Sequence, residues 1–259
     1  MDKVKTIISK EWAEVFKNKL VLFTVAFLPL LLVAMPLIML PLMGSDPQEM
    51  DELPTALVGE MCTGLSQIEC LQLYMMSIFT IMFMILPVMV PVTIAAYSIV
   101  GEKTTRSLEP LLATPITTLE LLTGKMLAAV IPAVAVTWLT YLLFLTGIWF
   151  LTSAAVFRAL LAPMWLLAIL VVGPLLALFS VSIAIMVSSR VNDPRIAEQL
   201  SGAVAVPIIL LLVGQSAGFI LLSQELVLVI AAVVAILDIG LVYLAIQTFE
   251  RESILTRWK

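Results

Sequence analysis

Long apolar runs separated by charged residues are the first feature of this chain. Five runs contain no charged residue and a sixth is interrupted only by Asp238; they are Leu20–Met43, Leu71–Val100, Met126–Phe157, Ala159–Ser189, Gln199–Gln224 and Leu226–Phe249. A helix that crosses a bilayer needs about 20 apolar residues. The pattern therefore predicts an all-α integral membrane protein with about six transmembrane helices. The second to fourth runs are longer than one span needs, so we expect interfacial turns at their ends.

The first 19 residues show a helical rather than a continuous apolar pattern. Apolar side chains recur on one half of a helix, and most of the charged ones fall on the other half: Val4, Ile7, Ile8, Trp12, Val15 and Phe16 against Lys3, Lys10, Glu14 and Lys17, with Lys5 and Glu11 near the boundary. This spacing is typical of an amphipathic helix that lies at the membrane surface. The alternative is a charged leader that simply precedes the first span.

The distribution of basic residues predicts the orientation. With the N-terminus in the cytoplasm, every Lys and Arg except Arg158 lies on the cytoplasmic side, and the first outer loop carries six acidic residues and no basic one. Basic residues favour the cytoplasmic side, so both termini are predicted there. The chain then divides into an interfacial helix at 1–19, a transmembrane domain at 20–249 and a cytoplasmic tail at 250–259. Within the domain, an outer loop spans 44–70 and a cytoplasmic segment spans 101–125.

Composition supports this class and excludes several others. Hydrophobic residues make up 62% of the 259 residues and charged residues 12%, against about 45–50% and about 25% in soluble domains. The net charge of −4 argues against nucleic-acid binding. The chain has no His and no phosphate-binding loop of the G-x-x-x-x-G-K-[ST] type, which removes the common nucleophilic, zinc and ATP-hydrolysing sites. We therefore predict no enzyme activity, metal or cofactor in this chain.

Both cysteines, Cys62 and Cys70, fall in the predicted outer loop. An oxidising exterior would allow them to form a disulfide. The sequence leaves two states open, a bridge or two free thiols.

The cytoplasmic segment 101–125 is not an ordinary polar loop. Pro110 and Pro115 break it into short pieces, and Thr117 with Glu120 forms a T-x-x-E capping box that predicts the start of the third membrane helix. Apolar side chains recur among its charges: Leu108, Leu111, Leu112 and Ile116. A short amphipathic helix of this kind is suited to a groove of a partner protein; the alternative is an interfacial turn without a partner.

In the next cytoplasmic piece, Asp193 and Pro194 predict the start of the fifth helix.

These cytoplasmic residues carry a family resemblance. The stretch GEKTTRSLEPLLATPITTLELLTGK resembles the membrane-spanning subunit of type-2 ATP-binding-cassette exporters, and VNDPRIAEQLSG is similar to sodium- and drug-export permeases. The positions that match the family pattern are Glu102, Arg106, Leu108, Glu109, Leu112, Ala113, Thr114 and Pro115. One departure is the short turn near Ser223–Glu225, where relatives often carry extra re-entrant helices.

The resemblance implies a mechanism. Two permease chains, identical or different, would pair with two separate ATPase chains that hold ATP and magnesium, in the plasma membrane of a prokaryote. Glu102, Arg106, Leu108, Glu109, Leu112, Thr114 and Pro115 would couple this chain to the ATPase and drive export of a substrate that the sequence does not identify.

A second hypothesis depends on Asp238, which lies near the middle of the last run. An acid at this depth is costly and marks an ion or proton contact or a protonated side chain bonded to a neighbouring helix. The functional interpretation predicts a secondary transporter driven by an ion gradient. Thr93 and Tyr97 in the second run are candidate residues of a substrate pathway, although such hydroxyls usually bond their own helix.

Overall fold

The computed structural model describes residues 2–42, 62, 64–105, 116–220 and 222–248, and these residues are helical with short connections. The helices are α1 (Asp2–Lys17), α2 (Lys19–Leu42), α3 (Gln67–Phe83), α4 (Leu86–Thr104), α5 (Thr118–Leu151), α6 (Ala154–Leu160), α7 (Pro163–Leu167), α8 (Gly173–Arg190), α9 (Pro194–Gly202), α10 (Val206–Ser216) and α11 (Gln224–Thr248). A π turn at Ala168–Val172 joins α7 to α8, and a 3-10 turn at Ala203–Ala205 joins α9 to α10.

Six helical stretches within the described residues are long and apolar enough to cross a membrane. They are Val21–Leu42, Gln67–Thr104, Thr118–Leu151, Pro163–Arg190, Pro194–Ser216 and Gln224–Gln247. This confirms the prediction of an all-α membrane protein with six spans. The 38 residues of the second span would extend roughly 57 Å at 1.5 Å per residue, well beyond the ~30 Å of hydrocarbon.

Successive spans run in opposite directions, and two hydrophobic clusters lie at the two ends of the bundle. One cluster joins the N-terminal helix to the start or end of five spans: Ile7, Val21, Ile99, Leu121, Ile185 and Ala245. The other includes Phe83, Phe144, Ile148, Trp165 and Ile208, with the rings of Phe83 and Phe144 4.9 Å apart. We call the two ends the α1 end and the opposite end.

Capping residues set the helix boundaries, and both caps predicted from the sequence are present. The Thr117–Glu120 capping box is present at the start of α5, and the Asp193 side chain accepts a hydrogen bond from the backbone N–H of Arg195 at the start of α9. The third apolar run, Met126–Phe157, was expected to exceed one span and to include a turn at its end, and the structure has this turn. Helix α5 ends at Leu151, and the Ser153 side chain caps the separate helix α6.

The connection between the last two spans is short, as the sequence indicated, with α10 ending at Ser216 and α11 beginning at Gln224. Gly218 has a positive φ of 73° in this turn. A Cβ at Gly214 would meet the Ile220 side chain at 2.6 Å. Gly214 and Gly218 therefore both serve the turn between the last two spans.

Candidate coupling site

A buried cluster of charges joins three helices at the α1 end. Lys125 of α5 places its Nζ atom 2.7 Å from Oε1 of Glu11 in α1 and 2.7 Å from Oε2 of Glu102 in α4. The relative exposures are 5% for Lys125, 2% for Glu11 and 4% for Glu102. Charges this deeply buried are tolerated when each is paired and hydrogen-bonded.

Two further residues complete this charge cluster. Lys125 donates a hydrogen bond to Ser98 Oγ at 2.9 Å, and Ser98 donates to Glu11 Oε2 at 2.5 Å. Lys10 forms an ion pair with Glu102. Two lysines thus balance two buried glutamates, so the cluster is close to neutral.

The charge of Lys10 is stabilised by this arrangement. Partial burial lowers the pKa of Lys10, but the hydrogen bond and charge of Glu102 outweigh burial, together with the charges of Glu11 and Glu14. The pKa therefore lies above the ordinary value of 10.5. Lys10 remains protonated at physiological pH, and the ion pair with Glu102 is kept.

Helix α1 is positioned by contacts along one face of α5. Lys3 lies 3.5 Å from Glu120, Ile7 packs directly on Gly124, and the Trp12 indole donates to the Ala128 carbonyl at 3.0 Å. Positions 120, 124 and 128 lie one helical turn apart. The apolar face of α1 therefore packs on the bundle at Ile7, while Phe16 at the end of that face is 59% exposed.

The predicted coupling residues lie in and beside a segment that begins where α4 ends. Glu102 is part of the charge cluster, in the last turns of α4. The other predicted coupling residues lie outside the described residues: Arg106, Leu108, Glu109, Leu112, Thr114 and Pro115. The described chain resumes at Ile116, nine residues before Lys125. The charge cluster therefore ties together the two helices that flank residues 106–115.

Sequence reasoning missed Glu11, Ser98 and Lys125 as cluster members. Glu11 was placed only near the boundary of the apolar face, and the structure makes it one of the most buried residues of α1. A signal was available, because an acid beside an apolar helix face requires a basic partner if that face packs on protein.

Thr93 and Tyr97, the candidate pathway residues of α4, have different surroundings. Thr93 Oγ1 donates to Glu198 Oε1 of α9 at 2.5 Å and lies 3.1 Å from the Met89 carbonyl oxygen. Tyr97 lines a cavity of about 180 Å³ between α1, α2 and α4, together with Glu11, Glu14, Val15, Asn18, Val21 and Ser98. Sequence reasoning did not predict the Glu198 contact, which draws the start of the fifth span onto α4.

Asp238 is 3% exposed, and neither carboxylate oxygen has a hydrogen-bond partner among the described residues. Its helix, α11, packs chiefly against α8. Asp238 therefore forms no hydrogen bond with Thr93 or Tyr97. One interpretation of the sequence expected a protonated Asp238 that hydrogen-bonds to a neighbouring helix. No such bond is found in the described part of the chain.

Cys62 and Cys70 are joined by a disulfide, with Cα atoms 5.2 Å apart. The bridge lies beside the start of α3, where Ser66 and Glu69 form a capping box. Glu69 also accepts a hydrogen bond from Ser153 at 2.6 Å. These contacts hold the start of α3, in the second span, to the connection between α5 and α6. Both lie at the end of the bundle opposite to α1.

Comparison with protein families decides the class of the chain. Residues 5–230 match the family model described as ABC-2 family transporter protein. The chain belongs to this family. It is accordingly a multi-pass membrane protein with the role of a transport permease. Comparison with individual curated proteins returns no match.

In this ABC-2 permease, a methyl group at position 124 should weaken the docking of α1. A Cβ on Gly124 would lie 2.8 Å from Ile7 Cγ2 and 2.9 Å from Ile7 Cβ, so α1 must shift. We expect Gly124→Ala to reduce docking by about 1–3 kcal/mol and to speed tryptic cleavage at Lys17 several-fold. Gly240→Ala is the matched control, because nothing lies within 4 Å of the added group; equal cleavage rates in the two variants would contradict the packing described.

The disulfide gives a second expectation for the ABC-2 permease. The protein isolated without reductant should take up no maleimide at Cys62 or Cys70, and two maleimides after reduction. The bridge closes a short loop, so its loss should destabilise this end by about 2–3 kcal/mol. Maleimide uptake by unreduced, denatured protein would show two free thiols instead.

Proposed function

We propose that this chain is the permease subunit of an ATP-binding-cassette exporter, powered by a separate ATPase subunit that docks on residues 102–115. The charge cluster carries this proposal. It ties α4 and α5, which flank the docking segment, to the N-terminal helix of a chain that belongs to the ABC-2 family. A force applied to the segment would reach three helices at once.

The chain's own residues suggest how movement would spread. Displacement of residues 106–115 would act on Glu102 and Lys125, whose side chains meet at 2.7 Å. Because Lys125 also holds Glu11, α1 would move with α4 and α5. The ATPase subunit would supply ATP and magnesium, and the permease would supply the path for the substrate.

The remaining parts of the proposal concern the assembly. The α1 end would face the cytoplasm, in agreement with the distribution of Lys and Arg. Two permease chains, identical or different, would form the substrate path in the plasma membrane of a prokaryote. Transport would run outward, as in the exporters that the sequence resembles.

Purification of the tagged chain from its own host in a mild detergent tests the proposal. We expect a stoichiometric partner that carries a phosphate-binding loop and hydrolyses ATP. The partner should be lost after substitution of Glu109 or Leu112 without loss of the permease from the membrane. A chain that is isolated alone from several mild detergents and from native lipid discs would contradict the proposal.

A second candidate function is a secondary transporter driven by an ion gradient, favoured by the buried, unpartnered Asp238. It predicts that the chain alone, in liposomes with an enclosed pH dye, dissipates an imposed proton gradient, and that Asp238→Asn abolishes this. The exporter proposal predicts no dissipation without the ATPase subunit.

A further inference from the structure

Asp238 is an unusual residue of the last span because its buried carboxylate forms no hydrogen bond with any described group. It lies seven residues after Ala231, which packs with Val172, and seven before Ala245, which packs with Ile185 at the α1 end. Seven helical residues correspond to about 10 Å, so Asp238 lies well inside the span. It also lies beyond residues 5–230, the part of the chain that matches the family.

The helices packed against α11 offer Asp238 no charged partner at this depth. They are α8, the π turn, α7 and α5, and their titratable or charged residues are Arg190, Glu120, Lys125 and Tyr141. Arg190 is the last residue of α8. Glu120 and Lys125 lie in the first turns of α5 and contact α1, while the Tyr141 hydroxyl donates to the Leu160 carbonyl at 2.9 Å.

A bound metal cation does not fit these surroundings. Hard cations such as Ca²⁺ and Mg²⁺ require about six or more oxygen ligands. Neither Asp238 oxygen has a hydrogen-bond partner among the described residues, which also contain no group of three acidic, His or Cys side chains that could hold a metal ion. The ligand that fits a lone carboxylate at this position is a proton, because a neutral carboxyl avoids the large penalty of a buried charge.

The stability of the fold does not explain why position 238 is an aspartate rather than an apolar residue. A neutral carboxyl still leaves its O–H donor unsatisfied in this conformation, and an apolar residue of similar size would fit the span better. The group is therefore suited to a second state in which its surroundings differ. A relative movement of α11 and α8 that admits water would provide such a state.

We propose that Asp238 is a reversible proton-binding site in the last span, neutral in the conformation described here and ionised when water reaches it. Proton binding at Asp238 does not depend on ATPase docking at residues 102–115. It therefore stands or falls separately from the proposed exporter function.

The test uses dicyclohexylcarbodiimide, a lipid-soluble reagent that adds to a protonated carboxyl in apolar surroundings. The O–H adds across one C=N bond and the adduct rearranges to an N-acylurea, with no leaving group and a mass gain of one reagent. The full chain in lipid nanodiscs would be treated between pH 5.5 and 9 and mapped by mass spectrometry. We expect labelling at Asp238 at low pH that falls at least tenfold at high pH.

Variants and a second measurement make the result decisive. Asp238→Asn should abolish the label, whereas Glu225→Gln, in the exposed first turn of the same helix, should leave it unchanged. Because the folded chain would hold a proton that the unfolded chain releases, wild-type thermal stability should fall relative to Asp238→Asn as pH rises from 5 to 8. Labelling that is absent or independent of pH, parallel stability curves, or protection from labelling by sodium or potassium at constant pH would each overturn the proposal.

Discussion

Replacement of Lys125 by methionine is expected to release α1 from the bundle and to destabilise the permease by about 3–5 kcal/mol. The methionine would fill much of the same space but remove the only ammonium group within 3 Å of both Glu11 and Glu102 in the described structure. Glu11, at 2% exposure, would then keep only the ammonium group of Lys10, 3.9 Å from its Oε1 atom. A buried carboxylate with so little compensation tends to gain a proton, find water or leave its site. Each of these outcomes weakens the contact between α1 and α5.

Thermal unfolding in detergent and tryptic cleavage at Lys17 would measure the effect of Lys125→Met. Lys5→Met is the control for loss of one lysine, since Lys5 is exposed on α1 and its replacement leaves the cleavage site at Lys17 intact. A triple variant with Glu11→Gln, Glu102→Gln and Lys125→Met should recover most of the stability, because it leaves no buried carboxylate without a cation, and Lys10 keeps Glu14 at 3.5 Å. If Lys125→Met kept wild-type stability and protease resistance, the charge cluster would not be what holds α1.

The second large effect is expected at residue 112, in the proposed docking segment. Leu112→Asp should reduce the amount of ATPase subunit that copurifies with the permease by at least tenfold. Burial of a leucine in a partner's groove contributes about 1.5–3 kcal/mol, and each 1.4 kcal/mol corresponds to about a tenfold change in affinity. An aspartate would also have to be desolvated in that groove.

Leu119→Asp provides the comparison for this variant. Leu119 is 57% exposed in the first turn of α5, where an acidic residue suits the helix N-terminus. We expect Leu119→Asp to retain the ATPase subunit, and both variants to reach the membrane in wild-type amounts. Retention of the subunit by Leu112→Asp would place docking elsewhere on the chain.

The sequence predicted the spans well because their physical cause is local. In lipid each backbone N–H and C=O must be paired within the segment, so a long apolar run has to be helical. The capping box at Thr117 and the cap at Asp193 are also local, since each side chain bonds a backbone group two or three residues away. The end of α5 was less predictable, because Ser153 begins a new helix inside an apolar run.

The charge cluster could not be derived from the sequence to the same degree. Glu11 and Lys125 are 114 residues apart, and only tertiary packing brings them together. The amphipathic pattern of α1 predicted an apolar face but not that this face would pack on α5 with an acid at its edge. For Asp238 the situation was reversed: the sequence predicted a lone acid inside the last run, and the structure adds that no described group bonds to it.

Site-specific photo-cross-linking in the native host tests the central claim most directly. Benzoylphenylalanine would replace Leu112 in the proposed docking segment or, as the matched control, Leu139, a side chain 60% exposed on the long membrane helix α5. We predict that irradiation joins position 112, but not position 139, to a protein that carries a phosphate-binding loop. If position 112 gave no such product while the permease was present at normal levels, the chain would not engage an ATPase through this segment and the account would be wrong.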